Sequence, residues 1–154
     1  MPPIHAPFPP SAFARVCHAA YSLLVAFSAV CFTLTLGTDV LYSQTSNLMW
    51  LEFSAWLLLV GIVTGVAALP LGAIEFFRDE EIRDQASAWM RAGAQIGVLI
   101  VAFLNNLVHA ADGWTAVVPY GLVLSALTVL LMLAAAWLRA WHGYPRGTGE
   151  CHHV

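Results

Sequence analysis

The chain has 154 residues, 60% of them hydrophobic and only 10% charged, with a formal net charge of −3. Soluble domains carry about 25% charged residues, so the composition excludes a water-soluble globular domain. The six dispersed cations, all arginines, exclude the dense basic footprint of a nucleic-acid binder.

Residues 1–13 hold five prolines and are predicted to form an extended arm. With no basic n-region and no small-residue cleavage site, the arm reads as the start of an uncleaved first span and not as a signal peptide. The apolar stretches Ala19–Gly37, Phe53–Ile74, Ala92–Ala111 and Ala116–Leu138 follow. Each approaches the roughly 20 residues that a helix needs to cross a hydrocarbon core about 30 Å thick. None alternates as barrel strands do. Backbone groups in lipid must be satisfied internally, so the expectation is an all-α integral membrane four-helix bundle over residues 14–141, with a tail at 142–154.

The arginines set the orientation. Arg15 precedes the first span, Arg78, Arg83 and Arg91 lie between the second and third, and Arg139 and Arg146 follow the fourth. The other two connections carry none. Basic loops resist translocation, so both termini and the middle loop are expected in the cytoplasm. Four spans also require both termini on one side, and the two arguments agree independently.

Helix one is predicted from about Ala14 to about Leu41, then a short polar link at Ser43–Asn47 makes helices one and two antiparallel neighbours. Helix two starts near Trp50 and carries Gly61 and Gly65 one turn apart; Gly93 and Gly97 repeat the spacing on helix three, and Gly121 with Ser125 on helix four. Small residues at that spacing let two backbones approach, so a tight bundle without a large central channel is expected. Pro70 is expected to kink helix two near its cytoplasmic end. Ile82, Ala86, Trp89 and Met90 share one helical face, with Asp79 and Arg83 on the other. This segment reads either as a short amphipathic surface helix or as an extension of helix two or three beyond the bilayer. Trp50, Trp56, Trp114 and Tyr120 at one face, and Trp89, Trp137, Trp141 and Tyr144 at the other, form aromatic belts.

No charge falls at the membrane centre. Asp39, Glu52 and Asp112 instead gather at the outer helix ends with Asn105, Asn106 and His109. Spacings of four and three put Asn105, His109 and Asp112 on one face. Such a cluster could bind a cation, relay protons or hydrogen-bond a quinone headgroup. The structural reading, which we prefer, is that Asp112-Gly113 makes a turn, Glu52 sits in the first turn of a helix and Asp39 caps a loop. A bis-histidine haem would need two ligands at one depth; His18 and His109 lie at opposite ends, and His142, which matches His18 in depth, is expected beyond the end of helix four in solvent. Cys17, Cys31 and Cys151 are expected as free thiols. No catalytic residues, metal site or resident cofactor are expected, with haem b or a quinone as the alternatives.

The segments Phe27–Phe32 leading to Thr38-Asp39, Met49–Leu58, and Asn105–His109 running into Asp112–Thr115 resemble the bacterial membrane family called domain of unknown function 2231. The resemblance implies four membrane helices and no settled activity; some relatives are joined to cytochrome c modules, which implies a redox neighbourhood. It retains Glu75, His109 and Asp112. It departs where the family has a His-Pro pair, here Tyr21-Ser22, where Ser28 replaces a proline, and where Arg91 and Gln95 replace a histidine and an asparagine. Neither arginine nor tyrosine substitutes well for a neutral imidazole ligand. The expected function is therefore a non-enzymatic accessory or assembly subunit beside a larger membrane complex, respiratory or photosynthetic, or a homo-oligomer. A haem- or quinone-binding electron carrier, or a small solute or proton conductor, are the alternatives.

Overall fold

The computed structural model describes residues 12–78, 86–110 and 117–142. Four helices carry the fold: α1 (Ala12–Thr45), α2 (Leu48–Arg78), α3 (Ala86–Ala110) and α4 (Leu122–His142), the last entered through a π-turn at Val117–Gly121. Each contains a stretch long and apolar enough to cross a membrane. The described residues form no strand, and the expected all-α membrane bundle is what the chain adopts.

Polar residues at the C-terminal end of α1 stay helical, which carries the helix to Thr45 and past the predicted end at Leu41. Their hydroxyls turn back onto the preceding turn: Ser43 Oγ donates to the Val40 carbonyl and Thr45 Oγ1 to that of Leu41, both at 2.7 Å. The link to α2 shrinks to two residues. Ser46 sits in the left-handed region at φ 52° and its N–H donates to the Tyr42 carbonyl at 2.8 Å, closing α1. Asn47 then caps α2, its Oδ1 accepting from the Met49 N–H at 3.0 Å.

The helices pack as a ring in which α1 touches α2 and α4, and α3 touches the same two. This is the up-down-up-down arrangement that short connections favour. On α2 the buried positions Ser54, Leu58, Gly61, Gly65 and Ala68 step by four and three. That is the period of a left-handed helix seam. The core proper is Phe32, Leu58, Val98, Leu99 and Ala102. Large apolar side chains such as Leu23, Phe27, Val63, Phe103 and Trp137 point outward, as a lipid solvent permits.

Two expectations about packing divide here. Gly61 and Gly65 sit at close helix contacts, where an added Cβ would lie 2.6 Å from Phe32 Cε1 and 2.6 Å from Leu99 Cδ2 respectively. Gly93 and Gly97 do not: a Cβ at either meets nothing within 4 Å. The same spacing occurs on both helices, but on α3 the buried seam runs through Val98, Ala102, Asn105 and His109, which leaves Gly93 off it. The tight packing expected of the small-residue faces is thus found on α2, against both α1 and α3, and not at Gly93 or Gly97. Ala86–Met90 belong to α3, so this part of the middle segment is a helix extension; Ile82, Asp79 and Arg83 lie outside the described residues. Trp89 meets Phe76 edge-on at 4.8 Å, joining α3 to the end of α2. Pro70 lies inside α2, which continues to Arg78.

Candidate functional site

Asp39 is the centre of the buried polar groups. On α1 the exposed faces are apolar, while Ser28, Cys31, Phe32, Thr35, Asp39 and Tyr42 share the inward stripe, which carries the Asp39 carboxylate into the bundle at 1% exposure. Three other helices answer it. Ser54 Oγ of α2 donates to Oδ1 at 2.5 Å, Ser125 Oγ of α4 donates to Oδ2 at 2.5 Å, and His109 Nε2 of α3 lies 3.0 Å from Oδ1. Thr38 Oγ1 extends the network to 2.7 Å from Ser54 Oγ. Burying a carboxylate without such partners would be prohibitive, so these contacts account for its tolerance in an apolar setting.

The hydrogen-bond pattern limits where protons sit. His109 Nδ1 lies 3.0 Å from the Asn105 backbone carbonyl, which can only accept, so Nδ1 carries a proton. Nε2 faces the Asp39 carboxylate, so a further proton lies between Nε2 and Oδ1. Whether that proton is on nitrogen or oxygen, the pair is neutral overall, in keeping with its burial. Neither ring nitrogen is left open. Ser125 gives its single proton to Asp39, so the Asn105 amide must present Nδ2 to Ser125 Oγ, at 2.7 Å. Asn105 Oδ1 is left as the one buried side-chain polar atom without a partner among the described residues.

Of the outer cluster expected from sequence, the structure brings together Asp39, Asn105 and His109. Glu52 is exposed and does not join them. It lies two residues from Ser54, roughly 200° around the helix, so its neighbour faces the bundle while it faces out. Asp112 lies outside the described residues. Ser54 and Ser125 were missed as partners, although each has a signal: Ser54 stands seven residues before Gly61 and Ser125 four after Gly121, on the same small-residue faces. At the opposite end His18 Nδ1 pairs with Glu75 Oε1 at 3.2 Å near the surface. Cys17 and Cys31 are free and buried; Cys151 is outside the described residues. Among the described residues no group of three or more His, Cys, Asp or Glu could hold a metal ion.

A second feature lies in the other half of the bundle. A half-open cavity of about 280 Å³ sits between α1, α3 and α4, with Phe32, Val98 and Met132 in its apolar wall. Tyr21, Arg91 and Gln95 line it too, all three at positions where the chain departs from the pattern it resembles.

The family model described as predicted membrane protein (DUF2231) matches residues 17–152, nearly the whole chain. No curated protein and no solved structure matches.

Proposed function

We propose, from the premise that the chain belongs to the DUF2231 family of predicted membrane proteins, that it is a non-enzymatic accessory or assembly subunit of the bacterial inner membrane that packs against a larger membrane complex. The observation that carries this reading is the closure of the Asp39 network. Both carboxylate oxygens and both His109 nitrogens are engaged by groups of the same chain, so the Asp39–His109 pair joins helices and keeps no atom open to a ligand; of the surrounding groups, Asn105 Oδ1 alone is without a partner among the described residues. A haem on His109 would require displacing one of those bonds. A proton path would have to continue across the apolar layer of Phe32, Leu58, Val98, Leu99 and Ala102. The outward Gly93 and Gly97, with open space above them, offer a partner helix a place to approach closely.

Purification in mild detergent tests this. A membrane protein should co-purify stoichiometrically, without the Soret and redox-sensitive bands of b-type haem. Replacing both Gly93 and Gly97 with leucine should release that partner while the subunit's own thermal unfolding stays within about 0.5 kcal/mol of the parent, as for surface changes generally. Stoichiometric haem, or release only when the subunit itself unfolds, refutes the reading. The respiratory or photosynthetic setting rests on the family resemblance alone, and a partner without redox cofactors removes it.

The arginine distribution supports an orientation with both termini inside. Reporter fusions at Met1, in the loop between Arg78 and Arg91, and at Val154 should all report the cytoplasm. A periplasmic signal at any of the three overturns that orientation.

A further inference from the structure

We infer that the cavity between α1, α3 and α4 is a binding site for one acidic phospholipid, with an acyl chain along its apolar wall and the phosphate on Arg91. This does not depend on the accessory role. The cavity is graded in polarity along the bundle axis. Arg91 stands near the start of α3 and Tyr21 in the first third of α1, whereas Val98 and Phe32 lie deeper. Seven residues separate Arg91 from Val98, so the site reaches roughly 10 Å inward from the guanidinium.

Its three longer polar side chains are unengaged among the described residues. The Ser28 and Thr33 hydroxyls in the wall donate to the carbonyls of Gly61 and Ala29. Arg91, Tyr21 and Gln95 make no hydrogen bond or ion pair among the described residues, although all three face the same space. A cation, a phenol and an amide together supply donors suited to a phosphate and the ester carbonyls beside it. An apolar space at the same site suits a hydrocarbon chain. A free anion uses only the first set and a lipid without a phosphate only the second. A phospholipid uses both, and in an acidic one no headgroup cation offsets the phosphate charge that Arg91 meets. The level of Arg91, near the end of the bundle that carries Ala12 and His142, is where a headgroup would lie.

The test is native mass spectrometry of the full chain in neutral detergent, titrated with phosphatidylglycerol and phosphatidylcholine of identical chains. Phosphatidylglycerol should occupy one site with about tenfold preference, the scale of a charge-assisted hydrogen-bond contact. Arg91→Gln should abolish that preference, while Arg15→Gln, which removes another exposed cation of α1, should leave it intact. Ala94→Leu, which fills the cavity from α3, should weaken both lipids, with circular dichroism confirming a folded chain. Inorganic phosphate should not compete. Equal occupancy by the two lipids, a preference that survives Arg91→Gln, an equal loss in Arg15→Gln, or competition by inorganic phosphate would each overturn the proposal.

Discussion

Replacing Gly61 with leucine should abolish the folded bundle. A Cβ there already lies 2.6 Å from Phe32 Cε1, 3.0 Å from Phe32 Cδ1 and 3.1 Å from the Cys31 Cβ. Phe32 is 2% exposed and sits in the core with Leu58 and Val98, so the ring cannot swing away. Even alanine should cost about 1–3 kcal/mol, the usual penalty for overpacking, and the three further carbons of leucine have no space at all. Gly65 differs in kind, because its Cβ would meet the end of the Leu99 side chain at 2.6 Å and the Ser28 hydroxyl at 3.0 Å. Leu99 can give way in part, but moving Ser28 endangers its 2.7 Å bond to the Gly61 carbonyl. Thermal unfolding in detergent should therefore rank Gly61→Ala below the parent and Gly61→Leu as unfolded, with Gly65→Ala nearer the parent. A folded Gly61→Leu chain of parental stability would show that α1 and α2 do not pack in this way.

Removing the Asp39 carboxylate should be the most damaging polar substitution. Asp39→Ala strands Ser54, Ser125 and His109, each on a different helix, in an apolar interior. Each buried donor left without its acceptor costs about 1–3 kcal/mol. Asp39→Asn keeps the shape and two polar atoms, so it should lose less. The His109→Gln change, made alone and together with Asp39→Asn, completes a double-mutant cycle, and the double variant should be less destabilised than the sum of the singles. Strict additivity of the two losses would show that Asp39 and His109 are not coupled.

The architecture was readable because lipid imposes it: four apolar runs of sufficient length leave a polypeptide little choice. Helix ends were less readable. The Ser43–Asn47 segment looks like a loop by composition, yet Ser43 and Thr45 bond backward and stay helical, leaving only Ser46 and Asn47 to turn. In the polar centre, the shared face of Asn105 and His109 follows from their spacing on one helix, whereas the meeting of His109 with Asp39 spans 70 residues and depends on how the helices rotate against one another. That rotation also decides against Glu52, which is near in sequence and on the wrong face. Gly93 and Gly97 show the same limit, since spacing reports a small face but not what lies opposite it. The cavity could not be read from sequence, because its wall takes residues from three helices.

The sharing of one carboxylate among four helices also constrains how the chain can change. Ser54, His109 and Ser125 come from α2, α3 and α4, and all three converge on Asp39 of α1. Altering Asp39 strands donors on three other helices, and removing Ser125 strands Asp39 Oδ2 on α1 and the Asn105 amide on α3. A tolerated change at either position must therefore be matched by a change on a second helix, so the four helices can diverge freely on their lipid faces while remaining tied to one another at a single level.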